Sequence, residues 1–81
     1  MGVAFEILTR PDCHLCDEMK RVLQEVLPRF GLAYAERDVD SDPDMRRRFG
    51  EVIPVLLRDG RPVAKIRLDP ARLERIVRRT S

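Results

Sequence analysis

Eighty-one residues suffice for one hydrophobic core and are too few for two, so residues 1–81 are expected to form a single domain, with 43% hydrophobic residues to fill it. Sixteen basic residues against fourteen acidic ones leave a formal charge of +2, which lacks the one-sided balance of a nucleic-acid binder. The apolar run from Val3 to Leu8 is too short for a signal-peptide core or a membrane span, and Gly2 opens a myristoylation-like start that Glu6 spoils by standing where Ser or Thr is required. The expectation is a cytoplasmic monomer with neither nucleic acid nor membrane as partner.

The first element is a strand over Val3 to Leu8. Val3, Phe5 and Ile7 alternate with Ala4, Glu6 and Leu8, leaving apolar residues on both faces as a central strand requires. Glu6 reads as a residue at the outer end of that strand. Thr9-Arg10-Pro11-Asp12 ends it, and apolar residues then recur at Leu15, Met19, Val22, Leu23, Val26 and Phe30, a helical stripe interrupted late by Pro28 and closed by Gly31. Residues 32–39 predict a second strand whose polar face, with Glu36, Arg37 and Asp38, suits a sheet edge. A short helix follows, with Asp42 as N-cap, Pro43 at its first position, Met45 and Phe49 on its buried side and Gly50 as its stop.

Val52 to Leu57 predicts a buried strand, and Asp59-Gly60 a tight turn into an antiparallel strand over Val63 to Leu68. Asp69 caps the last helix with Pro70 behind it, while Leu68 staples onto Leu73 and Ile76 and Val77 continue the apolar face. The order βαβαββα, with a right-handed crossover in its first unit, predicts an α/β fold with a four-stranded mixed sheet and helices on both faces. The arginines at 46–48, 72, 75, 78 and 79 read as solvated helix faces with cations toward the C-terminal ends.

Cys13 and Cys16, three apart, are the chain's two cysteines. Cys13 directly follows the strand-to-helix turn and is expected at the first helical position. There, unpaired N–H groups and the positive end of the helix dipole favour a thiolate. A free thiol with a pKa of ~8.5 is mostly protonated at neutral pH, whereas thiols at helix starts in such pairs fall to about 3.5–7.5 and become nucleophiles. Cys13 is thus the attacking residue. Cys16 lies one turn deeper on the same face, within reach of a disulfide, and is the resolving residue.

A buried structural pair and a zinc site are the competing readings of that spacing. The exposed character of Arg10-Pro11-Asp12 weighs against the first, and the want of a second ligand pair weighs against the second. No metal site and no cofactor are expected. His14, between the cysteines, either biases the sulfurs when protonated or faces solvent. Arg10 places a cation three residues before Cys13, for the thiolate or for an anionic substrate.

With these residues in place, nearly the whole chain resembles the glutaredoxin-like branch of the thioredoxin superfamily. Thr9-Arg10-Pro11-Asp12-Cys13-His14-Leu15-Cys16 is similar to the glutaredoxin active-site stretch, where a basic residue stands three before the first cysteine. Asp38-Val39-Asp40 with Asp42-Pro43-Asp44 resembles the junction between that family's halves, and Ile53-Pro54-Val55 its hydrophobic residue plus cis-proline facing the cysteines. The resemblance implies a thioredoxin-like fold, a substrate groove at Ile53 and Pro54 where backbone pairs with an extended segment, and dithiol exchange with disulfide-containing proteins or small disulfides. A reductase or glutathione would supply the electrons.

The chain also departs from the pattern. His14-Leu15 replaces the proline and tyrosine that glutathione-binding glutaredoxins carry between their cysteines, and Val63 to Pro70 has no glycine where they carry a pair. Two other classes of function share the same residues: an iron–sulfur or metal-binding module using Cys13, and a redox-sensing adaptor that docks partners without turnover.

Overall fold

The computed structural model describes residues 4–79. Val3 and Gly2, named above, lie outside them. Four strands and three helices follow one another as β1 (Phe5–Thr9), α1 (His14–Val26), β2 (Tyr34–Asp38), α2 (Pro43–Phe49), β3 (Val55–Arg58), β4 (Arg61–Lys65) and α3 (Pro70–Arg78). Short 3-10 turns at Leu27–Phe30 and Val39–Ser41 flank β2. The strands form one mixed sheet in the order β2-β1-β3-β4, with β2 parallel to β1 and both β1·β3 and β3·β4 antiparallel.

The two-residue period of a strand divides the core. On one side of the sheet Phe5, Ile7, Leu56 and Ala64 meet Met19, Leu23 and Val26 of α1 and Leu73, Ile76 and Val77 of α3. On the other, Leu8, Val55 and Leu57 meet Val39 and Phe49, so α2 covers that face. Each of the Val, Leu, Ile, Met and Phe side chains among them contributes about 1.5–3 kcal/mol by leaving water. β1 is apolar on both faces because both faces are covered. Glu6 is the charged exception on this strand, and it is half-buried against Arg37 of β2 at 2.9 Å.

The helix boundaries have local causes. Pro28 cannot continue α1, the chain tightens into its 3-10 turn, and Gly31 closes it in the left-handed region at φ 69°. Asp42 accepts from the N–H groups of Asp44 and Met45 to start α2, and Asp69 accepts from Arg72 N–H to start α3. No described helix is long and apolar enough to cross a membrane.

Strand bounds differ from the sequence expectation throughout: β1 begins at Phe5 and runs on through Thr9, which still pairs with Asp38 of β2. β2 covers Tyr34–Asp38 rather than 32–39, because Leu32 N–H bonds back to Leu27 and Val39 opens a 3-10 turn. β3 begins at Val55 rather than Val52: Val52 N–H bonds to Phe49 C=O in the turn leaving α2, and the Ile53–Pro54 peptide is cis. β4 is Arg61–Lys65 rather than Val63–Leu68. The turn is limited to Asp59 and Gly60, both at positive φ, so the returning strand starts at once, and it ends where Ile66 adopts φ 68°. Pro62 is tolerated because β4 is an edge strand beside a register shift at Leu56/Leu57.

Candidate functional site

The parallel pair β1·β2 points its carboxyl ends toward one end of the sheet, and the antiparallel register brings the start of β3 to the same end. Thr9 pairs with Asp38, and Leu8 pairs with Val55, so Pro54 is level with Thr9. The open ends of parallel strands are where α/β sheets place their sites. Here the chain leaves β1 at Thr9 and reverses through Pro11 and Asp12. Asp12 takes φ 60°, a conformation Asp tolerates better than most residues, and delivers Cys13 to the start of α1.

Cys13 is the N-cap of α1, one residue outside the helical position expected for it, with extended φ −102° and ψ 105°. The reason is that its sulfur performs the capping. Cys13 Sγ accepts the Cys16 N–H at 3.1 Å, as a Ser or Asp side chain would, while Asp17 N–H bonds to Cys13 C=O at 3.1 Å. The two cysteines form a disulfide with their Cα atoms 5.2 Å apart. Cys13 is half-buried at the surface, and Cys16 is 1% exposed. The pair thus joins one partly exposed cysteine to one buried cysteine a turn deeper.

Arg10 is clamped. Its Nε and Nη2 donate to the two carboxylate oxygens of Asp40 at 2.8 and 3.0 Å, and Nη1 donates to the Gly50 C=O at 3.1 Å. This planar, bidentate grip ties the β1–α1 turn to the segment after β2 and to the end of α2. The hydrogen bond to Asp40 raises the Arg10 pKa further, and the same bond holds the Asp40 carboxyl below its ordinary value of 3.8. Both side chains are more than a third exposed, so the clamp is a positional device before it is an energetic one. Nothing in the sequence marked Asp40 as its partner beyond the acidic run at 38–42.

His14 is 82% exposed, and its Nε2 lies 3.2 Å from Glu18 Oε2 one turn along α1. Beside the turn, a cavity of about 310 Å³ is lined by Asp12, Asp17, Glu36 and Asp38 with Arg10 and Lys20. Lys20 reaches Glu36 at 3.2 Å and Asp17 at 3.4 Å, and chiefly the hydrogen bond to Glu36 raises its pKa. Among the described residues no group of three or more His, Cys, Asp or Glu side chains is arranged to hold a metal ion.

Of the residues singled out in the sequence, Cys13 and Cys16 come together directly, and Arg10 lies in the turn before them. Ile53 and Pro54 reach the same end of the sheet from β3. Pro54 C=O accepts the Ile66 N–H at 2.7 Å, and among the described residues Ile53 N–H and C=O enter none of the turn or loop backbone hydrogen bonds. Ile66 itself was hidden in the sequence inside an apparent strand. No local signal in Lys65-Ile66-Arg67 announces a turn.

A mixed four-stranded sheet between α1/α3 and α2, with a disulfide-bonded C-x-x-C at the end of β1, defines a thioredoxin-like protein of the α/β class. Solved structures agree. The X-ray structure of the structural genomics target protein XcR50 from X. campestris superposes with a TM-score of 0.78 at 26% identity, covering 95% of this chain and 99% of that one. Human ERp44 shares the fold, with a TM-score of 0.63 at 18% identity, over 95% of this chain and 27% of its own.

Residues 5–78 match the family model described as Glutaredoxin-like domain (DUF836), and the chain belongs to that family. Among its relatives are the uncharacterized proteins Mb0520 of Mycobacterium bovis and Rv0508 of Mycobacterium tuberculosis. Each is 32% identical over 81 residues, spanning 94% of this chain and 84% of the relative.

Proposed function

We propose that this protein is a thiol–disulfide oxidoreductase in which Cys13 attacks and Cys16 resolves. The observation that carries the reading is the asymmetry of the pair: a half-buried cysteine whose sulfur caps a helix start, bonded to a fully buried cysteine one turn inside. Once the disulfide is reduced, the Cys16 N–H and the positive end of α1 favour negative charge on the Cys13 sulfur. That thiolate attacks one sulfur of a substrate disulfide. The substrate S–S bond breaks, one substrate thiolate leaves, and a mixed disulfide to Cys13 remains. Cys16, as thiolate, then attacks the Cys13 sulfur, releases the second substrate thiolate and regenerates the internal disulfide. Two electrons pass to the substrate in each cycle, and glutathione or a reductase restores the dithiol. No cofactor takes part.

The free backbone of Ile53 beside Pro54 suits an extended substrate segment lying across the end of the sheet. Arg10 acts in this reading as a positioning residue for the turn, through Asp40 and Gly50. Substrates are disulfide-containing proteins or small disulfides, met by a monomer in the cytoplasm.

The test is dithiothreitol-driven reduction of insulin. Cys13→Ser is expected to abolish turnover, and wild-type rates in that variant would overturn the assignment. Cys16→Ser is expected to accumulate mixed disulfides with added protein substrates, visible on non-reducing gels. Parallel redox titrations with glutathione and with a thioredoxin-reductase system identify the electron source.

A further inference from the structure

Ile66 is the anomaly left over once the cysteine site is accounted for. It is the one large hydrophobic residue among the described residues that is exposed, at 41%. It also takes φ 68°, while Arg67 N–H bonds to Lys65 C=O at 2.7 Å across it. A three-residue turn with positive φ at its centre is the strained form of the γ-turn, and a β-branched residue is among the worst suited to it. Asp12 and Asp59, the other non-glycine residues at positive φ, belong to a type that adopts it readily. Burial does not compensate Ile66 for its conformation, since much of its side chain remains in water. Strain of this kind, held in place by surrounding bonds, gathers where a surface has work to do.

Its position says what that work is. The Ile66 N–H donates to Pro54 C=O at 2.7 Å, which locks the turn to the loop at the start of β3. Across this end of the sheet the order is therefore Asp38, Thr9, Pro54, Ile66. Ile66 stands two strand spacings, roughly 10 Å, from the end of β1 that leads into Cys13. An extended peptide covers that distance in about three residues.

Resting on the oxidoreductase reading above, we infer that Ile66 is a specificity-determining contact that selects polypeptide disulfides bearing an apolar side chain within about three residues of the attacked cysteine. The exposed part of Ile66 is covered by that side chain when the substrate segment lies along Ile53 and Pro54. A small hydrophilic disulfide gains nothing from it.

The experiment compares three substrates under dithiothreitol turnover: a disulfide-linked peptide with Leu two and three residues from its cysteine, the same peptide with Ser at both positions, and hydroxyethyl disulfide. The wild-type protein is expected to show a kcat/KM about fivefold higher for the Leu peptide than for the Ser peptide, the factor that corresponds to ~1 kcal/mol. Ile66→Asn, which accepts positive φ, should bring that ratio near one and lower kcat/KM for the Leu peptide several-fold more than for hydroxyethyl disulfide. Equal wild-type rates on the two peptides overturn the inference without any variant, as does a uniform loss on all three substrates in both Ile66→Asn and Ile66→Gly. No turnover of any disulfide by the wild-type protein would instead strike the oxidoreductase reading beneath it.

Discussion

The two halves of the chain meet along the β1·β3 ladder but bring different materials to the same end of the sheet. The N-terminal half, β1-α1-β2, brings side-chain chemistry: two sulfurs, the Arg10–Asp40 clamp and a cavity crowded with carboxylates. The C-terminal half, β3-β4-α3 with the loop before it, brings backbone and apolar surface: Ile53, whose N–H and C=O enter none of the turn or loop backbone bonds among the described residues, Pro54 and the strained Ile66. In the proposed function the first half sets reactivity and the second sets selectivity. The contrast follows from the connections. A strand-to-helix turn concentrates unpaired N–H groups that stabilise an anion, whereas loops flanking an antiparallel pair leave backbone and side chains free for a partner.

The contrast can be broken at its seam. Leu56, fully buried on β3 and paired with Ile7, belongs to the core shared by both halves. Leu56→Ala is expected to cost about 2–5 kcal/mol in urea unfolding, and a loss below ~1 kcal/mol would mean that the halves do not share one core. Gly50 comes next. A Cβ there would stand 2.5 Å from the Arg46 carbonyl and 3.3 Å from an Arg10 nitrogen, so Gly50→Ala should destabilise by about 1–3 kcal/mol and loosen the Arg10 clamp. Unchanged stability in that variant would show that the end of α2 shifts freely and does not position the site.

A smaller effect is expected from Asp69→Ala, which removes the α3 cap to Arg72 N–H for about 1 kcal/mol and leaves insulin-reduction kcat unchanged. A fall in kcat would couple α3 to the chemistry and blur the division between halves. The smallest effect concerns acid. Because Arg10 lowers the Asp40 pKa below 3.8, the clamp contributes fully above that pH and is lost as pH falls through the lowered folded value. Unfolding free energies at about pH 5 and about pH 2.5 should therefore fall slightly more steeply in the wild-type protein than in Asp40→Asn. Equal slopes would remove Asp40 from the acid response.

The sequence alone determined the element order, because the clues were local. Alternation marked β1, the helical stripe marked α1, Asp-Pro pairs marked the starts of α2 and α3, and Asp59-Gly60 marked the hairpin. It also located Cys13 and Cys16 at a strand-to-helix junction. It misjudged residues whose conformation depends on a neighbour far along the chain. Lys65-Ile66-Arg67 favours a strand by composition, yet the positive φ of Ile66 and the Arg67 N–H bond back to Lys65 C=O end the strand, in a turn that the bond from Ile66 N–H to Pro54 C=O holds. Cys13 looked helical until its sulfur proved to be the cap. Arg10 read as a free cation beside a thiolate, and the fold carried Asp40 and Gly50 onto it from thirty and forty residues away. Periodicity and capping report what a segment prefers. Which bonds override that preference is decided only when the sheet brings distant segments side by side.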